Sequence, residues 1–579
     1  MRNGEIAAAL DELGTLYELD GAVRYRVIAY REAARVIRSH PVSVEELARQ
    51  GKLTELPGIG STIESKVLTL VDEGTLPQTE KLKQKFPPTL IEVTRIPGLG
   101  AKTARRFYDE LGIADLEGLE AAARQGELSS LKGFGERAEE NLLAEIEKLG
   151  EEGPTVRVLL AEALEAAEEL AEALEELPET ERVEIAGSAR RMAETCKDVD
   201  LIATSSDPAA LAETLQKHPL VAQAGRGGDA AAKVVTHTGL AVDLRISPPE
   251  AYGNLLQHFT GSAEHNVQLR ERALAMGLSV SELGIAAVEE GKRTGEPELF
   301  ATEEEVYERL GMACIEPELR EGRGELDAAR DGTLPELVTE ADIRGDLHCH
   351  TTLSDGKNTL EEMAAAARER GYEYLAITDH SASHGFGNHV TDEQLAARIE
   401  EIREWNKGKR GFRLLAGSEV NVLPDGTLDY PDELLAELDW VIASVHTAFR
   451  SSEKQMTKRV ITAIENPLVD CIGHLTGRLI LRREPYDIDV EQVAEAAART
   501  GTMLEINGNP NRRDLSEHHV RLAVEKGATI VANTDAHQIR TLGNMRYGIA
   551  TARRAWLTRE DLANTRGWGE FKKLRKRGS

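Results

Sequence analysis

Gly187-Ser-Ala-Arg-Arg191, followed by Asp198-Val-Asp200, decides how the first half of the chain is read. On a strand, residues i and i+2 share a face, so Asp198 and Asp200 point together while Val199 and Leu201 face a core. A third carboxylate, Asp243, lies in Leu240-Ala-Val-Asp-Leu-Arg-Ile246, another alternating run. Three carboxylates on neighbouring strands can hold two Mg²⁺ or Mn²⁺ ions, the arrangement that phosphoryl transfer uses. Gly187, Ser188 and Arg191 are then candidates to hold a triphosphate. Val183-Glu-Ile-Ala186 and Lys233-Val-Val-Thr236 add further β-like runs, and 249–312 reads as mainly helical. Before them, 156–177 carries Leu160, Ala163, Leu164, Ala167, Leu170 and Leu174 on one stripe, a helix with an acidic solvent face.

Further upstream, three similar segments recur: Leu56-Pro-Gly-Ile-Gly60, Ile96-Pro-Gly-Leu-Gly100 and Leu131-Lys-Gly-Phe-Gly135, each preceding a helical run. A glycine turn lets a phosphate reach backbone N–H groups, and the helix N-terminus behind it adds a favourable dipole. The pattern resembles the helix-hairpin-helix motif, which grips DNA backbone without reading sequence. The plain alternative is three helix-linking turns; recurrence with an apolar residue between the glycines favours the motif. Gly58, Gly60, Gly98, Gly100 and Lys102 are the DNA-contact candidates, and Lys132 in place of Pro makes the third copy degenerate.

Composition bounds the rest. The 579 residues are 41% hydrophobic and 29% charged, enough for several packed cores. No apolar run approaches the ~18 residues of a membrane span, and Cys196, Cys314, Cys349 and Cys471 form no CxxC pair. A reducing cytosol and no membrane partner are expected. A net charge of −30 argues at face value against a nucleic-acid partner. The charge is uneven, however. Residues 21–40 carry five Arg (24, 26, 31, 35, 38) against Glu32 alone, whereas 161–181 carry nine acids and no base. The bases therefore gather near the first hairpin, where Arg26 and Arg31 join the candidates.

The last third holds ten of the fifteen His. Predicted strands end in ligand-type residues: Asp346-Leu-His-Cys-His350 with Asp355, Tyr374-Leu-Ala-Ile-Thr-Asp-His380, Leu414-Leu-Ala-Gly-Ser-Glu419, Val441-Ile-Ala-Ser-Val-His446, Cys471-Ile-Gly-His474 and Ile530-Val-Ala-Asn-Thr-Asp-Ala-His537. Met503-Leu-Glu-Ile-Asn507 is a further strand ending in polar residues. Parallel βα barrels gather strand C-termini on one face, where active sites form. Imidazole and carboxylate together suit Zn²⁺, Mn²⁺ or Fe. Such ions can supply a nucleophile near neutral pH and stabilise a leaving oxygen. His384, His389, His518, His519, Arg512 and Arg513 fall outside the pattern and read as surface loop, with contact to phosphate as the alternative.

Two resemblances follow. Residues 1–315, with Gly187-Ser-Ala-Arg-Arg191, Asp198-Val-Asp200, Asp243 and Phe259-Thr-Gly-Ser262, resemble the family X (polymerase-beta-like) DNA polymerases. The resemblance implies Asp198, Asp200 and Asp243 as the catalytic metal-binding triad. It places Gly187, Ser188 and Arg191 on the triphosphate, and Phe259, Gly261, Asn266 and Arg270 around the base and sugar. His258 stands where vertebrate members have Tyr, which bears on ribose discrimination. The same likeness makes Lys66 a phosphate contact and a candidate Schiff-base lyase residue, a role that needs a depressed lysine pKa. Residues 343–579 resemble the PHP (polymerase and histidinol phosphatase) domain, a distorted seven-stranded βα barrel. It implies three metal ions: one on His348, His350, Glu419 and Asp535; one on Glu419, His446 and His474; one on Asp355, His380 and His537.

The expected fold is therefore multidomain, α+β and α/β. Helix-hairpin-helix domains (1–80 and 81–150) precede a nucleotidyltransferase palm (151–248), a thumb-like region (249–315), a linker (316–342) and a PHP barrel (343–579). The expected function is short-gap filling with dNTPs on gapped or primed DNA, of base excision repair type. It is joined to 3′-5′ exonuclease and abasic-site endonuclease activity. The alternatives are a histidinol-phosphatase-like phosphoesterase with a DNA-binding N-terminus, and a non-catalytic DNA-end scaffold.

Overall fold

In the computed structural model the chain forms two compact units, Met1–Val158 with Glu162–Ile185 and Cys196–Tyr252, and Leu159–Ala161 with Ala186–Thr195 and Gly253–Ser579. The structure describes the chain apart from residues 39, 41, 95, 97–98, 129–130, 132–138, 140–141, 144–156, 226–227, 229, 384–389 and 577–579. Gly98, most of the third glycine hairpin, His384 and His389 thus lie outside the described residues. Among the described residues no helix is long and apolar enough to cross a membrane.

The first unit opens with short helices, including Asn3–Leu19, Arg24–Arg38, Ser61–Glu73 and Ala101–Leu111. They pack around Ile6, Leu10, Leu13, Ala33, Val67, Leu70, Phe86 and Phe107. Gly60 and Gly100 are the N-caps of the last two helices, and no side chain caps either. The unit also holds a five-stranded sheet: β1 (Thr180–Ile185), β2 (Asp198–Ser205), β3 (Val221–Ala224), β4 (Ala231–Thr236) and β5 (Ala241–Ile246). Its order is β1-β2-β5-β4-β3, and only β2 and β5 are parallel. Val199 and Leu201 are buried, as period-2 alternation requires.

The second unit departs twice from the sequence reading. Residues 249–312 are not mainly helical. After helices Tyr252–Thr260 and Ala263–Ala275, a three-stranded antiparallel sheet forms from β6 (Leu278–Ser281), β7 (Gly284–Glu289) and β8 (Lys292–Glu298). Gly284 (φ +117°) and Gly291 (φ +76°) make its turns, and a Cβ at Gly284 would meet Glu298 O at 2.5 Å. Residues 316–342 are not a free linker either. They carry helix Glu325–Asp331, and Leu319, Leu326, Ala329 and Leu337 enter one core with Leu269, Ile285 and Tyr307. Val338 enters the core of the barrel region as well, and together these apolar residues among many charges dock the segment.

The remainder is the expected distorted barrel of seven parallel strands: β9 (Gly345–Asp346), β10 (Tyr374–Ile377), β11 (Arg413–Asn421), β12 (Trp440–Ser444), β13 (Cys471–Ile472), β14 (Met503–Asn507) and β15 (Ile530–Asn533). They are hydrogen-bonded in sequence order, with helices between them. The two edge strands approach through a Cys349–Ala536 bridge, where His350 N donates to Ala536 O at 2.8 Å. Leu347, Tyr374, Leu415, Trp440, Cys471, Val531 and Phe571 form a core of their own. Outside the barrel, a larger core holds the helices to the strands.

Candidate functional site

On the first unit's sheet, parallel pairing of β2 with β5 sets Asp200 directly beside Asp243. Burial and the neighbouring charges of Asp198 and Asp243 push the Asp200 carboxyl up to about 7. Three carboxylates this close repel one another unless a cation intervenes, and Asp243 Oδ1 is buried without a hydrogen bond. The donor set therefore fits hard divalent ions. Lys233, opposite Asp243 on β4, gives a 2.9 Å ion pair to Asp243 Oδ2, and Arg245 gives one of 3.1 Å. Both residues went unnoticed in the sequence. For Arg245 the signal was alternation, two residues after Asp243 on one strand, whereas Lys233 meets Asp243 only through the register of β4 with β5.

Gly187-Ser-Ala-Arg190 forms a single helical turn in the second unit, with Gly187 at φ +64°. Arg191 Nη1 donates to Thr260 O at 2.6 Å, and Arg190 Nη1 donates to Thr260 Oγ1 at 2.7 Å. The Arg-Arg pair and the Phe259-Thr-Gly-Ser262 turn are thus joined. A Cβ on Gly261 (φ +66°) would lie 3.2 Å from Arg191 Nη1. Asn266 is used internally: its amide accepts from Gln257 at 3.0 Å and donates to His258 O at 2.7 Å. Arg270 Nε donates to Asn266 O at 3.0 Å, and His258 with Arg270 lines a cavity of about 360 Å³ against β6.

In the helical region, a Cβ on Gly60 or Gly100 would meet nothing within 4 Å, so both turns are open to a phosphate. Gly58 takes φ +80°, the left-handed region that its turn requires. The basic helix is less basic than its sequence suggests. Arg31 pairs with Glu18 at 2.6 Å, Arg35 with Glu32, and Arg38 with Asp11 at 3.3 Å. Arg26 stays exposed, 5.3 Å over the Tyr17 ring, beside Tyr25, which is 84% exposed. Lys66 Nζ donates to Gln78 Oε1 at 2.9 Å, and burial lowers its ammonium pKa. Lys102 is exposed in the first turn of helix Ala101–Leu111.

The barrel brings all nine predicted ligands together at one end. Glu419 stands at the middle of five imidazoles. Its Oε1 lies 3.2 Å from His446 Nε2 and 2.9 Å from His474 Nε2; its Oε2 lies 2.8 Å from His380 Nδ1 and 3.4 Å from His348 Nε2. The fifth, His350, sits 3.7 Å from Glu419 and 3.2 Å from Asp535. His537 Nε2 is 3.3 Å and His380 Nε2 3.6 Å from Asp355 Oδ2. Three ligand sets arise: His348, His350 and Asp535; His380, Glu419 and His446; and His350, Asp355, His380 and His537. His350 and His380 thus serve two sets each, a sharing the sequence partition did not contain. His474 joins through Glu419.

Two observations fit this set to metal ions. His350 Nδ1 and Glu419 Oε2 are buried and make no hydrogen bond. Burial and neighbouring imidazoles also push His350 down to about 4, so it offers neutral nitrogens. Glu419 and Asp535 are held well below the usual carboxylate range: burial opposes this, but His446, His380 and His348 outweigh it at Glu419, and chiefly His348 at Asp535. Borderline nitrogen with carboxylate oxygen suits transition metals.

Sequence reasoning missed the residue that orients the cluster. Glu505, fully buried on β14, accepts from His348 Nδ1 at 2.7 Å and from the His474 backbone N–H at 2.8 Å. With that proton on Nδ1, His348 Nε2 would be free to hold a metal ion. Asn533 and Asn507 amides donate to the two oxygens of Glu505 at 3.0 and 3.1 Å. Its signal was the Glu-x-Asn alternation of β14. Glu505→Ala is expected to lower metal affinity about 10- to 100-fold, read by chelator competition. Arg512, expected on a loop, has its Nε 3.6 Å from Asp535, and Arg513 is fully buried. His518 and His519 lie in the first turn of helix Glu517–Glu525 rather than in a loop.

Known families match in the same order. A helix-hairpin-helix domain matches residues 1–76, a SAM-like helix-hairpin-helix tandem 90–148, the DNA polymerase beta thumb 255–321, and the PHP domain 346–509. The DNA polymerase/3′-5′ exonuclease PolX of Bacillus subtilis (strain 168) is 38% identical over 580 residues, covering 100% of both chains. A probable phosphatase of Thermoanaerobacter sp. (strain X514) is 35% identical over 239 residues, 38% of this chain and 89% of that protein. Another, from Caldanaerobacter subterraneus, is 36% identical over 203 residues, 33% of this chain and 75% of that protein. Since one relative aligns with thumb, hairpins and barrel from end to end, the chain belongs to the PolX family of X-type DNA polymerases that carry a PHP domain.

Proposed function

We propose that the chain fills short gaps in DNA during base excision repair and trims 3′ ends with its barrel, which also incises abasic sites. The observation that carries this reading is the juxtaposition of two chemically different groups: three carboxylates on a sheet, and nine imidazole and carboxylate side chains at one end of a barrel. Asp198, Asp200 and Asp243 would hold Mg²⁺ or Mn²⁺, and the barrel set three ions of Mn²⁺, Zn²⁺ or Fe type; when bound, these supply Lewis-acid activation of the attacking and leaving oxygens.

The chain's own residues do the rest. Ser188 and Arg191 bind the triphosphate while the primer 3′-hydroxyl gives its proton to water, its oxygen bonds to the α-phosphorus, and the bond to the bridging oxygen breaks so that pyrophosphate leaves. The turn at Phe259 and Gly261, with Asn266 behind it and Arg270 on the cavity, shapes the base side. In the barrel, Arg512 steadies a scissile phosphate next to Asp535, and Glu505 fixes the His348 ring. A non-catalytic scaffold would have no use for either set. The protein would act as a monomer on nucleoid DNA in the cytoplasm, with a dNTP and a gapped or primed duplex as partners.

At the gap, Arg26 and Lys66 bind the 5′ phosphate, and the amides of the hairpins at Gly58–Gly60 and Gly100 hold the backbone with Lys102. Tyr25 offers its exposed ring to an unpaired base. Arg31 contributes only by leaving Glu18. The lowered ammonium of Lys66 also suits Schiff-base chemistry, which borohydride trapping on an abasic 5′ end would reveal. Lys66→Ala is expected to lower affinity for a 5′-phosphorylated gap about 5-fold, on the order of 1 kcal/mol, and to leave an unphosphorylated gap unaffected. Equal loss on both substrates in a binding titration would remove the phosphate assignment. Hydrolysis of p-nitrophenyl phosphate tests the phosphomonoesterase reading, which the resemblance of the barrel to probable phosphatases brings forward.

A further inference from the structure

The loop after the Arg-Arg pair is held by side chains far along the sequence. Arg554, at the end of helix Met545–Arg554, donates through Nη1 to the Arg191 carbonyl at 2.7 Å. Arg513 Nη1 donates to the Met192 carbonyl at 2.9 Å. Arg478 Nη1 pairs with Glu194 Oε2 at 3.1 Å and its Nη2 donates to the Arg513 carbonyl. Residues 191, 192 and 194 are therefore each held by an arginine of the barrel region. Met192 sits at φ +54°, a conformation a non-glycine residue keeps only when its surroundings enforce it.

The charges are arranged with equal economy. Glu321 Oε1 accepts from Arg191 Nε at 3.1 Å and from Arg554 Nη1 at 2.8 Å, so one carboxylate is divided between two guanidinium groups. Arg554 Nη2 reaches Glu517 at 2.9 Å, and Arg323 lies 3.4 Å from the same Glu517 oxygen. Arg554 is 6% exposed and Glu321 16%, so water screens these interactions little. Were Arg554 absent, Arg191 would be the sole guanidinium partner of Glu321 among the described residues. A carboxylate that holds Arg191 competes with any phosphate for it.

We propose that Arg554, with Arg513, is a positioning residue for nucleotide binding: the barrel holds the 187–192 loop in its triphosphate-binding form, and Arg554 weakens the hold of Glu321 on Arg191. The barrel thereby serves synthesis as well as hydrolysis, without its metal ligands taking part. The proposal rests on the reading of Arg191 as a triphosphate contact. It differs from a simple adhesive role for the ion network, which would reduce the active fraction and hence kcat, leaving KM for the nucleotide unchanged.

The test is steady-state single-nucleotide insertion on one-nucleotide-gapped DNA with the full chain. Arg554→Met is expected to raise KM for the dNTP about 10-fold while kcat changes by less than about 3-fold. Adding Glu321→Gln to Arg554→Met is expected to bring KM back to within about 3-fold of the parent, since the competing charge is gone. An adhesive role predicts a double variant no better than the single. If Arg191→Ala raises KM and Arg554→Met does not, the proposal is overturned and the reading of Arg191 stands. If Arg191→Ala leaves KM unchanged, both fall. Should Arg554→Met fail to fold, Arg554→Lys decides. It keeps the charge and gives up the two-armed grip; a KM raised about 3-fold is expected, and an unchanged KM overturns the proposal.

Discussion

Asp200→Asn is expected to reduce nucleotide insertion by about 10³-fold or more, roughly 4 kcal/mol of transition-state stabilisation, while hydrolysis by the barrel stays within about 2-fold. The magnitude follows from position. Asp200 sits between the other two carboxylates, beside Asp243 across the β2–β5 pair and in the field of Asp198. The amide keeps the shape and removes the charge that would hold a cation. A second consequence separates this variant from one that merely unfolds. In metal-free buffer Asp200 is repelled by its neighbours and penalised by burial, so its replacement relieves strain. The melting temperature without metal should be equal to or above that of the parent, and the stabilisation that Mg²⁺ gives the parent should shrink. A fall in melting temperature with retained insertion would remove Asp200 from the site.

Glu419→Gln should do the reverse. Hydrolysis of a primed oligonucleotide is expected to fall by about 10³-fold, with gap filling within about 2-fold. Glu419 lies within 4 Å of a nitrogen of His348, His350, His380, His446 and His474. The isosteric amide still reaches them but brings no negative charge to balance a cation. Metal content after gentle purification should therefore fall together with activity, which elemental analysis reads directly. Loss of activity with full metal content would assign Glu419 a different role.

These two expectations start from residues that local pattern already marks. Strand ends carry the barrel ligands because every parallel strand delivers its C-terminus to one face, so the chemistry could be read one strand at a time. The same holds for Asp198, Asp200 and Asp243, where alternation alone sorts metal face from core. What stayed hidden depends on pairing between distant segments. Glu505 looks like any strand carboxylate until β14 lies beside β13 and His348 closes on it. Lys233 acquires meaning only in register with Asp243. The hairpin from Leu278 to Glu298 is held by Gly284 and Gly291, and its outer strand has too few apolar residues to announce itself. Segment 316–342 reads as a linker because its charges outnumber the few apolar side chains that anchor it.

The net charge of −30 is also re-read by the structure. Five arginines in the second helix seemed a basic patch, yet three are paired with Glu18, Glu32 and Asp11. On the proposed reading the grip on DNA would fall to Arg26, Lys66 and backbone amides, which add little to a charge count. Weak, salt-sensitive affinity for plain duplex is expected, with preference for a gap.

The central claim is that two independent metal centres in one chain build and remove DNA. The direct measurement is a time course on one-nucleotide-gapped, 5′-phosphorylated DNA in Mg²⁺ or Mn²⁺, with and without dNTP, for the parent, Asp200→Asn and Glu419→Gln. The parent should extend the primer by one nucleotide when dNTP is present and shorten it when dNTP is absent. Asp200→Asn should only shorten, and Glu419→Gln should only extend. Extension by Asp200→Asn, or shortening by Glu419→Gln at the parent's rate, would contradict the account.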